Sequence, residues 1–420
     1  MSQRLAIEGG EPAVTNPLPP MYPGGMRIGA EEEQLVLEVL RSKRLFRYYG
    51  PFPGPSKAEA FERAFAAHMG AAHALAVTSG SAALMCAMAA LGVGPGDEVI
   101  VPAYTWIATA SAAVALGAIP VIAEVDESLT LDPADVEARI TPHTRAIAAV
   151  HMRGAPCRMD ALADIARRRG VALIEDVAQA AGASFQGKRL GTFGDASAFS
   201  LQFNKIMTSG EGGVMMTGSR AIYTRAVMYH DVIGGQRNNV PADEILPGVN
   251  FRMSELQAAV ALAQLGKLDG VLADMRRNRA SIVAGIGDAA RSAGVEFRRL
   301  HDPEGDAALA LVLLLPSAER ARWAVDALRA EGLGAMLLYR PDVVDYHVYC
   351  HWAPIMNKRT WSEQGGPWRW AARDIAYTHD MCPRSLDVLG RALHIDVSPD
   401  LSATQTAQVT EALNKVLRAL

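Results

Sequence analysis

Over residues 199–213 the chain reads Phe-Ser-Leu-Gln-Phe-Asn-Lys-Ile-Met-Thr-Ser-Gly-Glu-Gly-Gly, with one lysine, Lys205, between Ser200 and a glycine-rich turn. A lysine that is to form a Schiff base needs this kind of setting. Its ammonium must sit where the pKa can fall, and glycines let the backbone approach a bulky group. Upstream, the apolar run 171–174 ends in the carboxylates Glu175 and Asp176, followed by Val177, Ala178 and Gln179. A pyridine ring that serves as an electron sink needs such a carboxylate to keep its nitrogen protonated. Lysine plus distant aspartate is the requirement of pyridoxal phosphate chemistry.

Two more segments carry residue types that such a cofactor needs. Residues 79–84, Ser-Gly-Ser-Ala-Ala-Leu, follow a strand-like run and open a helical pattern. Free N–H groups at a helix start, with a hydroxyl and a glycine, make a phosphate cradle. The same residues also make an ordinary N-cap, and it is Lys205 downstream that favours the cradle. Trp106 opens the next helical pattern after a strand. Ligands of open α/β sheets bind beyond strand C-terminal ends, so this indole can stack on a cofactor ring; a core tryptophan is the competing reading.

Three patterns are decoys. Gly182 to Lys188 matches most of a P-loop, but Arg189 stands where the Mg²⁺-binding hydroxyl should be and no strong helix pattern follows. Residues 92–97 suit a plain loop, because Pro95 and a short lead into a strand spoil the dinucleotide turn. His347, Cys350 and His351 lack a fourth ligand at regular spacing, so we expect no metal.

The elements that must position these residues can be read from the alternation of patterns. Residues 1–57 are rich in Pro and Gly around one helical segment, 30–42, and read as an arm that wraps a core or a partner. From 58 to 270, helical patterns alternate with the apolar runs 74–77, 98–101, 120–123, 146–150 and 171–174, the signature of an α/β domain with a mainly parallel sheet. Runs 196–200 and 214–217 lack a full helix between them, so reverse connections are expected there. Residues 254–284 form one long helical pattern bridging to a small α/β domain over 271–420, with a strand at 309–315 and helices at 318–331 and 403–420.

Composition excludes other classes. Half of the 420 residues are apolar, a fifth are charged and the net charge is −4, so no argument for nucleic acid or a membrane surface starts from electrostatics. The first residues have no apolar stretch of the signal-peptide kind, and the longest apolar run, 307–315, is about half of what spans a bilayer. Four scattered cysteines without a CxxC pair read as reduced thiols in a cytoplasmic protein.

The motifs together resemble the DegT/DnrJ/StrS sugar aminotransferase family. The similarity runs over nearly the whole chain and rests on Thr78-Ser79-Gly80-Ser81, Thr105-Trp106, Glu175 to Gln179, Phe199-Ser200 with Lys205 and Gly210 to Gly213, and Gly248 to Glu255. It implies fold type I: a mainly parallel seven-stranded sheet with helices on both faces and a small C-terminal α/β domain. Lys205 then matches the lysine that bonds pyridoxal phosphate, Asp176 the partner of the pyridine nitrogen, and Gln179 a residue against the ring or its O3′. Gly80, Ser81 and Ser200 match phosphate-binding positions, and Trp106 the stacking aromatic. Asn250 matches a residue reaching the phosphate from the neighbouring subunit, which implies a homodimer with shared active sites.

The resemblance also implies ping-pong transamination from glutamate or glutamine to a ketone on a sugar-like ring. Arg252 is the candidate for the donor carboxylate, with a salt bridge at a dimer interface as the competing role. Tyr48, Tyr49, His151 and Arg153 are candidates for the substrate pocket. Gln202-Phe203-Asn204 and Thr105-Trp106 are similar to members acting on aminocyclitols or aminobenzoate precursors. Residues 46–48, 151–154 and 302–306 are instead similar to members that aminate an octulosonate sugar acid. A dehydratase of the same fold would carry histidine in place of Lys205, and a non-catalytic homologue would not be expected to keep Lys205, Asp176 and Ser200 together.

Overall fold

In the computed structural model, which describes residues 4–48 and 54–420, the arm carries helix α1 (Ala30–Ser42) and enters the main body through α2 (Lys57–Met69). Strand and helix then alternate through β1 (His73–Val77), α3 (Gly80–Ala90), β2 (Glu98–Pro102), α4 (Ala108–Ala115), β3 (Ile119–Ala123), α5 (Pro133–Arg139), β4 (Thr144–Val150), α6 (Met159–Arg169) and β5 (Ala172–Asp176). A two-residue ribbon, β6 (Ser184–Phe185) and β7 (Lys188–Arg189), precedes β8 (Ala196–Ser200) and β9 (Gly213–Thr217). The ribbon occupies the P-loop look-alike. Gln186 and Gly187 turn it with φ of 50° and 77°, the positive pair that a tight hairpin requires.

Seven strands form the main sheet in the order β1-β9-β8-β5-β4-β2-β3. All neighbours pair parallel except β9, which runs against both β1 and β8, so the reverse connections expected around 196–217 are present. Because β9 reverses twice, β1 runs the same way as β8. The C-terminal ends of β1, β2, β4, β5 and β8 therefore open on one edge. Strands covered on both faces should be apolar throughout. Ala74, Ala76, Ile100, Ile147 and Ala149 meet Phe61 and Phe65 of α2 and Leu162 of α6 on one face, while Leu75, Val77, Val99, Val101 and Ala148 meet α3 and α4 on the other.

The chain continues through α7 (Arg220–His230), α8 (Gly234–Arg237), α9 (Glu255–Leu265) and α10 (Leu268–Ser292). The bridge read as one helix over 254–284 is thus two. The break falls at Gly266-Lys267, whose N–H groups fall back to Ala263 and Gln264 carbonyls, while Gln264 and Lys267 turn their side chains onto Glu32 of α1. The second helix runs on to Ser292 because Ile282, Ile286 and Ala290 bury themselves in a further core. That core lies on a four-stranded antiparallel sheet, β10 (Glu296–Phe297), β11 (Ala310–Leu314), β12 (Met336–Leu337) and β13 (Ala392–Asp396), in the order β10-β11-β13-β12. Helix α11 (Ala318–Ala330), then α12 (Ala353–Met356), α13 (Pro383–Arg391) and α14 (Ala403–Leu417) complete the chain. The last helix stops at Leu417, short of the residue 420 expected. The arm is tied down at several points: Leu5 and Val14 join this core, and Arg27 pairs with Asp274 and Asp400 at 2.8 and 2.6 Å.

Candidate active site

The site is built where strands end. Ser79 caps α3 by accepting the Ala82 N–H at 3.1 Å, leaving the first-turn N–H groups of Gly80 and Ser81 outside the helix's own bonding. A side chain on Gly80 would put Cβ 2.8 Å from Cβ of Ser200, so glycine is needed for the start of α3 to close on the end of β8. Helix-start amides, exposed Ser81 and the Ser200 hydroxyl together make an anion cradle. Residue 213 is glycine for the same reason, since a Cβ there would strike the Ser79 carbonyl at 2.3 Å.

Asp176, at the end of β5, marks the opposite side. Its carboxylate accepts the Thr109 hydroxyl at 2.8 Å and the Ala178 N–H at 3.1 Å, and no cation of the described residues pairs with it. Burial pushes its pKa up, opposed by those two bonds and by Lys205. A buried carboxylate without a counter-charge is costly unless a cation joins it. The pyridinium N–H of a cofactor is such a cation. Thr109 is in turn held by the Thr105 hydroxyl at 2.8 Å.

Lys205 follows β8 in a loop clamped by the arm. Gly24 donates to the Lys205 carbonyl at 3.1 Å, and Tyr22 packs on Phe203 with ring centroids 5.0 Å apart. Burial lowers the pKa of the Lys205 ammonium; Asp176 opposes this and the positive charge of Arg153 adds to it. Trp106 lies at the mouth, 47 % exposed, so the indole is not a core residue. Residues 345–349 are zipped along 103–107 by the bonds Thr105 N–H to His347 O (2.9 Å) and Ile107 N–H to Tyr346 O (3.0 Å). The zipper brings His347 to 5.0 Å from the Trp106 ring, with Nδ1 2.7 Å from Asp345.

Arg153 enters from the end of β4. Its N–H donates to Oε1 of Gln179 at 3.0 Å and its Nε to the Tyr104 hydroxyl at 3.2 Å. The role of Gln179 within the chain is thus to hold this loop, which leaves its amide NH₂ for another partner.

Two expectations for the pocket change. His151 has no exposed surface: Nδ1 accepts the Cys157 N–H at 3.0 Å and Nε2 faces Glu175 at 3.3 Å, so it braces β4 and β5 and does not face substrate. Arg252 is engaged by the fully buried Asp231 at 2.6 Å and by the Phe46 ring, an ion pair within the chain. Tyr48 lies in the same patch, stacked under Arg237 at 4.4 Å, next to the exposed Asn250; Tyr49 lies outside the described residues. No bond or ring contact among the described residues joins this patch to Lys205. Thr109 and Tyr104 belong to the site and were not singled out from the sequence, and His347, weighed there only as a metal ligand, belongs to it as well. A hydroxyl three residues after Trp106, in the first turn of the helix that follows β2, was the available signal for Thr109.

An α/β sheet whose strand ends gather a depressed lysine, an uncompensated aspartate, an anion cradle and an open indole defines a pyridoxal phosphate enzyme of fold type I. The model of the DegT/DnrJ/EryC1/StrS aminotransferase family matches residues 26–361, and the chain belongs to that family. It is 43% identical over 289 residues to the L-glutamine:2-deoxy-scyllo-inosose aminotransferase of Streptoalloteichus tenebrarius, covering 66% of this chain and 67% of that one. It is 41% identical over 326 residues to the 3-amino-5-hydroxybenzoate synthase of Amycolatopsis mediterranei, covering 76% and 82%. Among solved structures, 3-amino-5-hydroxybenzoic acid synthase superposes with a TM-score of 0.79 at 31% identity, covering 96% of this chain and 100% of that one. DesV of S. venezuelae, solved with a ketimine intermediate, gives 0.73 at 30% identity, covering 93% and 95%. The chain is an aminotransferase, and its cofactor is pyridoxal phosphate. No helix among the described residues is long and apolar enough to cross a membrane.

Proposed function

We propose that this aminotransferase moves the α-amino group of glutamine or glutamate to the ketone of a keto cyclitol or keto sugar, in the biosynthesis of an aminocyclitol or amino sugar of the antibiotic kind. The names of its relatives support the substrate classes. One observation carries the chemistry: a lysine whose ammonium is destabilised by burial lies within electrostatic reach of a buried aspartate that pairs with no cation among the described residues. Bound here, pyridoxal phosphate supplies the carbonyl that takes up nitrogen and the ring that accepts electrons from the α-carbon.

The residues divide the remaining work. Asp176, oriented by Thr109 and the Ala178 N–H, keeps the pyridine nitrogen protonated. Gly80, Ser81 and Ser200 hold the phosphate, and Trp106 covers the ring. Lys205 would serve as the base that lifts the proton from the donor α-carbon and as the acid that returns one in the acceptor half-reaction.

We further propose a cytoplasmic homodimer in which Asn250 serves the partner's cradle. Val232 at 57 %, Ile233, Ile245, Leu246 and Val249 expose apolar side chains in the segment that carries Asn250, a patch that asks for cover. The four unpaired, buried cysteines suit a reducing compartment. We place the arm, large and small units at 1–57, 58–270 and 271–420.

Incubation with glutamine or glutamate carrying ¹⁵N at the α-amino position, together with a cyclic ketone, tests the reaction. Transfer of ¹⁵N to 2-deoxy-scyllo-inosose or to a keto sugar is expected. Label that never leaves either donor with any cyclic ketone would refute the substrate class.

A further inference from the structure

Arg153, on the loop after β4 at the edge where the strands end, is a half-buried guanidinium to which no carboxylate of the described residues is paired. Among the described residues none comes within ion-pair distance of it; its single side-chain bond runs from Nε to the Tyr104 hydroxyl. The two acidic groups that influence it, Asp345 and Asp396, are each committed to a histidine, His347 at 2.7 Å and His394 at 2.8 Å. The two Nη groups, the parallel fork that binds carboxylates, therefore stay unengaged.

The backbone beneath this side chain is held in an unfavourable shape. Arg153 has φ of 53°, a left-handed conformation that costs a non-glycine residue of order 1 kcal/mol. Gly154 follows with φ of 83°, where a Cβ would lie 2.9 Å from that of Ala307. Three bonds fix the loop: Gln179 Oε1 takes the Arg153 N–H, buried Arg298 donates to the Met152 carbonyl at 2.7 Å, and the Ala307 N–H reaches the Gly154 carbonyl at 3.0 Å. Strain that the surroundings over-determine, at a side chain whose two Nη groups have no partner among the described residues, points to a ligand. The side chain is near enough to Lys205 to bear on its ammonium, and it shares Tyr104 with His347.

We propose that Arg153 is the receptor for a substrate carboxylate, taking it in bidentate fashion and so fixing the amino or keto carbon beside Lys205. The role first given to Arg252 passes to it, because Arg252 is occupied by Asp231. The inference rests on the aminotransferase reading, in which an amino acid donor enters this cleft. An acid-bearing keto acceptor would present the same chemistry in the second half-reaction.

The test compares the native protein, Arg153→Gly (which keeps the positive φ) and Arg153→Lys, all loaded with pyridoxal phosphate. The first readout is binding of 2-methylglutamine, which has no α-hydrogen to lose, followed by its perturbation of the cofactor's absorption. The second is conversion of the cofactor by glutamine against glutaminol, in which an alcohol replaces the carboxylate. Arg153→Gly is expected to bind 2-methylglutamine roughly 100-fold more weakly, the scale of a hydrogen-bonded charge pair, and to lose the preference for glutamine over glutaminol. Lysine should restore part of both. A donor half-reaction that is unchanged, with a loss confined to a keto sugar acid and absent with 2-deoxy-scyllo-inosose, would place the carboxylate on the acceptor and still support the receptor. Equal discrimination by native and glycine proteins in both half-reactions overturns the proposal. If glutamine and glutamate leave the native cofactor spectrum untouched, it is the donor reading that fails.

Discussion

At Lys205 the local field decides what the side chain can do. The neutral amine is the form that captures a carbonyl, and burial together with Arg153 holds its pKa below the ordinary 10.5, against the pull of Asp176. Capture of pyridoxal phosphate by the cofactor-free protein should therefore rise with pH and level off below that value. Removing the positive neighbour with Arg153→Gly favours the ammonium, so the plateau should move to higher pH. Stopped-flow absorbance against pH checks both, and a plateau reached only at the ordinary lysine value would contradict them. The cradle makes a second prediction. Gly80→Ala places a methyl 2.8 Å from the Ser200 Cβ, and overpacking of this sort costs about 1–3 kcal/mol. Cofactor affinity should fall roughly tenfold or more in an equilibrium titration, with the fold unchanged by circular dichroism.

At the scale of elements, what was legible in the sequence and what was not separate cleanly by range. Asp176 ends a strand and Ser79–Ser81, Trp106 and Lys205 follow one at short spacing, so the apolar runs and the turn chemistry were enough to put them at strand ends. Tyr104 and His347 meet only because residues 345–349 pair along 103–107, a contact across more than 200 positions that no spacing rule encodes. His151 was misjudged because a residue at a strand end can turn inward as readily as outward, and Glu175 with the Cys157 N–H drew it in. The helix break at Gly266 was hidden because the clamp on Gln264 and Lys267 comes from the arm. The loop that carries Arg153 depends on Arg298, a fully enclosed guanidinium whose pKa burial lowers to about 10 and which serves the Ser128 and Met152 carbonyls. Arg298→Met leaves the Ser128 carbonyl unanswered, at about 1–3 kcal/mol, and leaves the Met152 carbonyl only the Ala155 N–H at 3.2 Å. A lower melting temperature and a weaker hold on 2-methylglutamine should appear together, and a loss of stability alone would separate Arg298 from the site.

For the molecule as a whole, the main sheet gathers the candidate site at its strand ends, and the segment around Asn250 turns outward with an apolar surface. If two copies share their sites, Val232→Asp with Val249→Asp should yield monomers in sedimentation velocity and weaken cofactor retention in the same preparation. Dimers that persist with full cofactor content would remove the shared-site proposal. The small sheet contributes Asp396, bonded to His394 at 2.8 Å, whose charge acts on Arg153, so both parts of the chain bear on that side chain.

The most direct test of the central claim is the visible spectrum of the protein loaded with pyridoxal phosphate, before and after glutamine or glutamate, in native, Lys205→Ala and Asp176→Asn forms. The account predicts that native protein converts from the lysine-bound cofactor to pyridoxamine phosphate. Lys205→Ala should show no lysine-bound band and no turnover, and Asp176→Asn should convert roughly a hundredfold or more slowly. Conversion at the native rate by either variant would contradict the roles assigned to Lys205 and Asp176.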